Sequence, residues 1–589
     1  MKPRENTIEQ DSQLELDSGR GWLITDAVQC PGLTRGAGEI QGLAEDVRKR
    51  LAVFSYKQHM PCLWVAFLGG TGTGKSTIFN AFCGKHLSET GVERPKTSGP
   101  IVYAHQDCPI ANGFPFPSVQ VEHQAFEDSR CGPATGTPGC LLVLQHNRQD
   151  WSHIVVVDTP DLDSVEVENR QIAEDFYLLS DAVVFVTSQE KYADDVPYQF
   201  LLRVIQEEKP LFLLINKVNE RLTREEVLGA LESQGGQTGA LDTARRMWFI
   251  AYASSQPFQW ISEDPAFSDF LHSFSQEFPI EEIRDFRAAQ QTRRTGDLKI
   301  RFRRLLDLLE EENGEAQRWL THLTALYEKI SQDLVKEEER RFTTESRQHL
   351  QTEIRRLFTK YDVLAKPRRF IRELILTPFR LLGLRKESAH GAHKDALLKV
   401  RRKIDLTPVQ GAIERFNRLV LEELSPTDEH SPLFRKLRQS DVALKDEEIK
   451  DRIWEEHDRL DAWLEETFQK LSKGLPRHKK WGIYSTSILW GLLILSFEIV
   501  VGGGFTVLDA ALDSVLAPFV TKGAVELFAY REIQKIARKL AKRYQEGLLS
   551  VLRHQRERYE QCVRSLMTSP ETLESLQRLH WKIGGSSPD

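Results

Sequence analysis

A glycine-rich stretch near the front of the chain constrains the fold more than any other feature. Residues 63–77 read LWVAFLGGTGTGKST, and the helix-like TIFNAF ends at residue 82. An apolar strand, a turn of the form G-x-x-x-x-G-K-S and a helix make the arrangement of a phosphate-binding loop. Glycines let backbone N–H groups point inward around an anion, and the following helix presents its positive end to the same anion. The stretch therefore predicts a nucleotide site at the end of a buried strand.

The polar residues of this loop have expected roles. Lys75 can reach the β- and γ-phosphates, and the Ser76 hydroxyl can ligate Mg²⁺. The residues expected to contact the nucleotide are Gly69, Gly70, Gly72, Thr73, Gly74, Lys75, Ser76 and Thr77. The alternative is a chance glycine-rich turn, and the fixed positions together with both flanks argue against it.

Residues 61–280 alternate strand-like and helix-like segments, which is typical of a doubly wound, mostly parallel sheet. Strands are expected at 63–68, 101–105, 118–123, 141–145, 153–158, 182–187, 211–216 and 247–252. Residues 106–139, rich in proline and glycine, are interpreted as loops and a hairpin at one edge. Residues 33–60 have a helical pattern and are expected to pack on this domain. Residues 1–32 are interpreted as a mobile segment.

A second buried strand ends in IVVVDTP, and its carboxylate is Asp158. An acidic residue at a strand end is weak evidence alone. About 80 residues after a phosphate-binding loop, however, it lies where a second Mg²⁺-organising carboxylate belongs. We expect Asp158 to hold the metal through water, opposite Ser76.

A third buried strand ends in NKVN (residues 216–219), which resembles the Asn-Lys-x-Asp base-reading element of GTPases. With the phosphate loop and Asp-Thr-Pro, it makes residues 61–280 similar to a P-loop GTPase domain of the translation-factor class. The resemblance implies GTP and Mg²⁺ as ligands and hydrolysis of the β–γ phosphoanhydride bond. It implies that Asn216 and Lys217 brace the nucleotide loops and stack on the base. Ala253 would offer a backbone N–H to the guanine oxygen.

The same resemblance assigns residues to catalysis. Thr97 would be the switch I threonine, which binds Mg²⁺ and senses the γ-phosphate. Arg94, three residues earlier, has the spacing of the built-in arginine finger of G-protein α subunits, and its alternative role is that of a surface arginine. A partner domain that meets this one across the nucleotide is another source of catalytic groups. Thr71 lies where such families often place a catalytic side chain.

Three residues depart from the family pattern. Asn219 stands where the family has Asp, and an amide turns a donor toward the guanine donors, so guanine preference should weaken. ATP or relaxed specificity is therefore the alternative. Asp161 replaces the glycine whose N–H meets the γ-phosphate, which puts switch coupling in doubt. Leu162 stands where the Ras-like branch has its water-orienting glutamine, so intrinsic hydrolysis should be slow.

Strand patterns end near residue 285, and residues 285–475 are predicted to form a long all-α bundle or stalk. One apolar repeat has the steps of a coiled-coil seam. It consists of Leu320, Leu323, Tyr327, Ile330 and Leu334. Two more helical patterns cover residues 390–424 and 433–472. Residues 531–589 are interpreted as a basic helix and a tail.

Two apolar stretches interrupt the helical part. Residues 366–386 mix bulky apolar and basic side chains, which suits a surface on anionic lipid, and a basic-rimmed bundle helix is the alternative. Residues 476–530 are predicted to be an apolar helical hairpin. Its first arm carries no charge from Trp481 to Phe497 and approaches the length of a bilayer span. Membrane contact through 481–530 is expected, and a buried core hairpin is the alternative.

The whole order resembles the dynamin-like large GTPases. That resemblance rests on the helical part, the apolar hairpin and the segment Arg94–Thr97, and it implies a homodimer or oligomer through the GTPase domains or the stalk. A soluble GTP-binding switch with poor hydrolysis, acting on a protein partner, is the alternative, and an ATPase is the third.

Composition limits the partners and the cellular compartment expected for this chain. The net charge of −7 gives no global attraction to nucleic acid, so no nucleic-acid partner is expected. The seven cysteines are scattered without a C-x-x-C pair, which fits free thiols in a reducing cytosol. With no signal peptide evident, we expect a cytoplasmic protein, peripheral or hairpin-anchored at the cytosolic face of a membrane.

Overall fold

The computed structural model describes residues 25–90, 99–125, 134–191, 195–219, 222–227, 229, 246–252, 257–341, 407–474 and 524–584. The chain divides into two compact units. The first comprises Met1–Val28, Glu39–Leu308 and Thr568–Asp589. The second comprises Gln29–Gly38 and Leu309–Met567.

The first unit is built on one eight-stranded sheet. Its strands are β1 (Leu63–Gly69), β2 (Ile101–His105), β3 (Gln120–Ala125), β4 (Cys140–His146), β5 (Ile154–Asp158), β6 (Ala182–Ser188), β7 (Leu211–Val218) and β8 (Met247–Ala251). Their order across the sheet is β3-β4-β2-β5-β1-β6-β7-β8. The pairings are parallel except that β2 runs antiparallel to β5, with Ile101 opposite Asp158. All eight predicted strands are present, each within two residues of its predicted bounds.

The chain's helices alternate with the strands and then replace them. They are α1 (Ala37–His59), α2 (Lys75–Cys83), α3 (Val167–Leu179), α4 (Asp195–Gln206), α5 (Pro257–Glu263), α6 (Pro265–Glu277), α7 (Ile283–Arg341), α8 (Thr407–Glu423), α9 (Pro432–Leu437), α10 (Asp446–Gly474), α11 (Ala524–Arg564) and α12 (Pro570–Gly584). A mostly parallel sheet with helices on its faces, followed by a helical region, is the predicted fold class.

The predicted hairpin at the sheet edge is wrong in its pairing. β3 does lie at the edge, but it runs parallel to β4, with Gln120 opposite Cys140. Parallel neighbours need a crossover rather than a tight turn, and the link between the two strands is long enough to cross over. Periodicity locates a strand but does not give the direction of its partner.

Helices cover both faces of the sheet, so its central strands are buried on both sides. Every residue of β1, β2, β5 and β6 is buried, which explains their continuous apolar runs. One core contains Trp64, Phe176 and Tyr177, with side chains of α1, α3 and α4. The other is rich in aromatic rings from α2, β7 and α6. Phe212 and Phe270 are among the rings of that second core, with centroids 5.9 Å apart.

A buried charge cluster lies at the amino ends of β1 and β6. Asp181 accepts hydrogen bonds from Lys57 Nζ at 2.6 Å, Arg294 Nη2 at 2.5 Å and the Trp64 N–H at 2.7 Å. Burial alone would raise the pKa of Asp181, but Lys57 and Arg294 hold it below its ordinary value. The cluster ties α1 and the first part of α7 to the sheet.

The second unit is a helical bundle around one apolar core. The predicted seam is buried there, with Leu320, Leu323, Ile330 and Leu334 in the core and Tyr327 packed against it. The helical pattern of residues 433–472 corresponds to two helices, α9 and α10. Within the described residues, no helix has the length and apolar character that a bilayer crossing requires.

A carboxylate holds the amino-terminal segment of this second unit. Glu312 is 1% exposed and accepts backbone N–H bonds from Gly32 at 2.5 Å, Leu33 at 2.6 Å and Thr34 at 2.9 Å. Gly32 has φ +86°, and a Cβ there would lie 2.6 Å from the Ser431 Cβ. The segment therefore needs glycine at this position and an anion at its centre.

Candidate nucleotide-binding site

The glycine loop joins β1 to α2 and has backbone angles that only glycine adopts without strain. Gly72 and Gly74 have φ values of +73° and +89°. A Cβ on Gly74 would lie 2.3 Å from Asn216 Nδ2, and one on Gly69 would lie 2.1 Å from the Val186 carbonyl oxygen. The loop is thus closely packed against β6 and β7, as a cradle for phosphate requires.

Two side chains from the end of β7 brace this loop. Asn216 Nδ2 donates to the Thr73 carbonyl at 3.0 Å, and Lys217 Nζ donates to the Gly72 carbonyl at 2.7 Å. Lys217 itself has φ +57°, and its N–H donates to Asn216 Oδ1 at 2.9 Å. The structure therefore brings residues 216 and 217 to the loop from a distant part of the sequence. Thr73 closes the loop internally, since its Oγ1 donates to the Gly70 carbonyl at 2.9 Å.

Lys75 begins α2 and points to the end of β5. It is 3% exposed, its Nζ lies 3.2 Å from Asp158 Oδ1 and 3.6 Å from Asp161 Oδ1, and it also donates to the Thr159 carbonyl. Burial alone would lower the pKa of Lys75, but Asp158 and Asp161 more than offset this and raise it. The ammonium is therefore charged at neutral pH and available to a phosphate. Ser76 and Thr77 follow in the first turn of α2.

Asp158 has the character expected of a metal-organising carboxylate. It is fully buried, and its Oδ2 finds no hydrogen-bond partner within the described part of the chain. A buried charged oxygen of this kind suits a cation or a metal-bound water. The Ser76 hydroxyl, one residue after Lys75 in α2, is the second oxygen ligand expected here. A hydroxyl and a carboxylate are oxygen donors of the kind that Mg²⁺ prefers, so the residues present fit this metal.

The segment after β5 docks against the glycine loop. Asp163 Oδ1 accepts hydrogen bonds from both the N–H and the Oγ1 of Thr71, each 2.6 Å long. The Leu162 N–H donates to the Gly69 carbonyl at 3.2 Å, and its side chain is buried in the core. Sequence reasoning missed Asp163, because no motif marks it and its partner lies 92 positions away. The expectation that Leu162 makes intrinsic hydrolysis slow stays a prediction.

The region predicted to read the base lies at the same sheet edge. Asn219 is exposed, and its N–H donates to Gln189 Oε1 at 2.8 Å. Tyr252, after β8, is 61% exposed and donates its N–H to the Val218 carbonyl at 3.1 Å. Ala253, Thr97 and Arg94 lie outside the described residues.

Comparison with known proteins gives a family match over part of the chain. Residues 64–217 match the family model described as 50S ribosome-binding GTPase, about a quarter of the chain. An uncharacterised protein in the xynA 3′ region of Caldicellulosiruptor sp. (strain Rt8B.4) is 29% identical over 182 residues, which are 30% of this chain. The match covers 44% of that relative's length.

Similar solved structures cover more of the chain at low identity. A structure of an oligomerised bacterial dynamin pair, described as a mechanism for long-range sensing and tethering of membranes, is 15% identical with a TM-score of 0.28. It covers 77% of this chain and 78% of that one. Toc33 from Arabidopsis thaliana in complex with GDP and Mg²⁺ is 13% identical with a TM-score of 0.21, covering 40% of this chain and 84% of that one. These TM-scores are below 0.5, so the assignment rests on the family match and the site.

Proposed function

We propose that the P-loop GTPase domain of this chain binds GTP with Mg²⁺, hydrolyses the β–γ bond, and drives a conformational change in the helical unit at a membrane surface. The order of a GTPase domain and a long helical region supports the dynamin-like form of this proposal. One observation carries the nucleotide part of the proposal. Three side chains from different elements meet at one glycine loop: Lys75, Asp158 and Asn216.

Binding would work through groups already placed at the loop. The N–H groups of residues 70–76 and the charged Lys75 would hold the phosphates, while Asn216 and Lys217 keep the loop in shape. Ser76 and Asp158 would hold the Mg²⁺, which neutralises charge on the phosphates when bound. Lys75 must turn from Asp158 and Asp161 toward the phosphates, so nucleotide binding would release Asp161.

Release of Asp161 offers a route from the nucleotide to the rest of the domain. Asp161, Leu162 and Asp163 are consecutive and all contact the glycine loop or its lysine. Movement of the Lys75 side chain would therefore alter the contacts of this segment and act on α3, which follows it. We infer that this segment is switch II, and that Asp163 holds Thr71 when Lys75 is paired with Asp161.

Hydrolysis would need groups other than residue 162. Leu162 is buried and apolar, so the attacking water must be oriented elsewhere. Thr71 in the glycine loop and Asp163, its hydrogen-bond partner, are two polar side chains at the site. Thr97 and Arg94 remain proposals from the resemblance. A second GTPase domain facing this one is the other proposed source, which would make turnover depend on protein concentration.

Single-turnover GTP hydrolysis, measured at rising protein concentration, tests the enzymatic proposal. Turnover that accelerates with concentration supports paired GTPase domains. Lys75→Ala should abolish GTP binding and hydrolysis, whereas Lys336→Ala, an exposed lysine of α7, should leave both unchanged. Wild-type activity in Lys75→Ala would overturn the site.

A GTP-binding switch with poor hydrolysis, acting on a protein partner, is the second candidate. Two observations favour it: Leu162 is buried, and Asp161 lies beside Lys75 where the family has glycine. Slow turnover that is flat with concentration, together with tight GTP binding, would support the switch. An ATPase is the third candidate, and competition between GTP and ATP for the same site decides it.

The membrane part of the proposal rests on sequence. Residues 366–386 and the hairpin 481–530 carry the apolar and basic pattern, and apart from residues 524–530 both stretches lie outside the described residues. Flotation of the purified protein with liposomes containing anionic lipid tests it. Protein that stays at the bottom of the gradient with GTP, with GDP and without nucleotide would remove this part and leave the nucleotide part standing.

A further inference from the structure

Two cysteine side chains of the first unit lie against each other in its core. Cys62 directly precedes β1, and Cys108 lies in the turn that follows β2. Their Sγ atoms are 2.7 Å apart, against about 2.05 Å in a disulfide. Both are free thiols, and the two residues are 4% and 6% exposed. Little movement is needed to join them.

The surroundings favour a thiolate at Cys62. Cys108 donates a hydrogen bond to it, and the cations Lys57 and Arg287 act on it, so the pKa of Cys62 is lowered although burial opposes this. Arg287 is fixed nearby, since it donates to the Met60 carbonyl. The same contact raises the pKa of Cys108, with burial adding to the effect. We assign Cys62 as the nucleophile of the pair because two basic side chains, Lys57 and Arg287, act on it, whereas Lys57 is the basic side chain that acts on Cys108.

The other described cysteines lack this environment. Burial is the main cause that raises the pKa of each of them: Cys30, Cys83, Cys140 and Cys562. The pair is therefore distinguished both by contact and by charge.

We propose that Cys62 and Cys108 are a redox modification site, which hydrogen peroxide converts reversibly into an intramolecular disulfide. The Cys62 thiolate attacks one peroxide oxygen, the O–O bond breaks, and with one proton a water leaves, which gives a sulfenic acid. Cys108 then attacks that sulfur, the S–OH bond breaks, and a second water leaves. Two thiols are oxidised and one peroxide is reduced to two waters, and a dithiol reverses the step.

The cross-link would restrain one end of the sheet. It would join the α1–β1 connection to the turn after β2, at the end of β1 opposite the glycine loop. Because the two cysteines are 46 positions apart in the chain, the cross-link should raise the unfolding midpoint by on the order of 5 °C. This site does not depend on nucleotide chemistry, so its test is separate from the test of the proposed function.

Peptide mapping tests the proposal on the full-length protein. The reduced protein is treated with hydrogen peroxide, quenched with N-ethylmaleimide under denaturing conditions and digested with trypsin without reduction. Trypsin releases Cys62 in peptide 58–75 and Cys108 in peptide 97–130, each with a single cysteine. We expect these two peptides to be joined as the main cross-link and to separate with dithiothreitol. If both are fully alkylated at a dose that oxidises the more exposed Cys140, the proposal is wrong.

Single substitutions test the roles within the pair. In Cys108→Ser the sulfenic acid should persist, so dimedone should label Cys62. In Cys62→Ser, Cys108 should stay unlabelled. Cys140→Ser, the matched control, should retain the cross-link. Labelling of Cys108 in Cys62→Ser, or a cross-link that appears only in unfolded protein, would overturn the proposal. If a variant folds poorly, peptide mapping of the unsubstituted protein still gives the result.

Discussion

Asp163 and Thr71 join the segment after β5 to the glycine loop through one carboxylate oxygen. Asp163 Oδ1 accepts from both the N–H and the hydroxyl of Thr71, each at 2.6 Å. A charge-assisted pair of bonds is strong and directional. In the proposed function it also holds a negative charge beside the phosphate site, which gives it a measurable effect on affinity.

Asp163→Asn should therefore bind GTP more tightly. Removing one negative charge near the triphosphate lowers the repulsion, and an affinity increase of about 3- to 10-fold is expected at moderate salt. Fluorescence titration with a labelled GTP analogue measures it. Thr71→Ser, which keeps both donors, is the matched control and should bind like the unsubstituted protein. Unchanged or weaker binding in Asp163→Asn would contradict the role given to this carboxylate.

Gly74→Ala should abolish nucleotide binding. The added Cβ would lie 2.3 Å from Asn216 Nδ2 at a residue with φ +89°. Gly84 offers a matched control, because it has φ +70° but nothing lies within 4 Å of its Cβ position. Gly84→Ala has backbone strain of about 1 kcal/mol without the clash, so it should lose stability but retain binding. If calorimetric titration finds equal affinity in both variants, the cradle is not formed as described.

Asn219→Asp should sharpen the choice of base. In the proposed function, the amide of Asn219 would present a donor to the guanine donors, and an acceptor-rich purine would suit it better, so we expect XTP to compete with GTP in the native protein. The carboxylate in Asn219→Asp accepts from both guanine donors, which should favour GTP over XTP by at least about tenfold. Competition binding with GTP, XTP and ATP measures the change. The same ranking of nucleotides in both proteins would show that residue 219 does not face the base.

Asp181→Asn should destabilise the first unit strongly. Lys57 and Arg294 would remain near a neutral amide, and breaking a buried pair costs about 3–5 kcal/mol. Since the folded pKa of Asp181 is below its unfolded value, its contribution persists above pH ~4 and is lost only as the pH falls further. Chemical denaturation at pH 7 measures the loss. Asp150→Asn, at an exposed Arg148 pair, is the control and should cost less than about 1 kcal/mol.

His146 should make the first unit sensitive to mild acid. Burial, with His105 and Arg148 adding to the effect, lowers the pKa of His146 to about 4. A histidine whose pKa is lower in the folded state than in the unfolded state stabilises the fold at pH values above its unfolded pKa. That contribution is lost as the pH falls from about 6.5 toward 4. In His146→Asn, the free energy of unfolding should change less with pH over that range, by on the order of 2 kcal/mol. Chemical denaturation at several pH values measures it. His123→Asn, at an exposed histidine of β3, is the matched control against which the effect of His146→Asn is compared.

The strands and the loop could be predicted because local pattern determines them. β1 and β5 are buried on both faces, so each has a continuous apolar run that ends at a residue of the candidate site. Lys75 and Asp158 could be placed at one edge because parallel strands end together. The direction of β3 could not be predicted, since alternation is the same in parallel and antiparallel strands.

Contacts between distant positions were not accessible in the same way. Asp163 meets Thr71 across 92 positions, and Glu312 meets Gly32 across 280. Neither acid lies in a motif, and a lone aspartate or glutamate in a polar stretch is usually solvated. Cys62 and Cys108 likewise read as scattered thiols, because their approach depends on where β1 and β2 fall in the sheet.

Glu312 has a practical consequence for anyone who shortens this protein. A chain trimmed to begin at residue 39, which would look safe from the position of the nucleotide loop, removes all three N–H groups that receive this carboxylate. The buried acid would then have lost the three donors described above, and the helices around it would be expected to loosen or aggregate. Residues 29–38 belong to the helical unit, so we expect a free peptide of this sequence to restore a protein from which they have been removed.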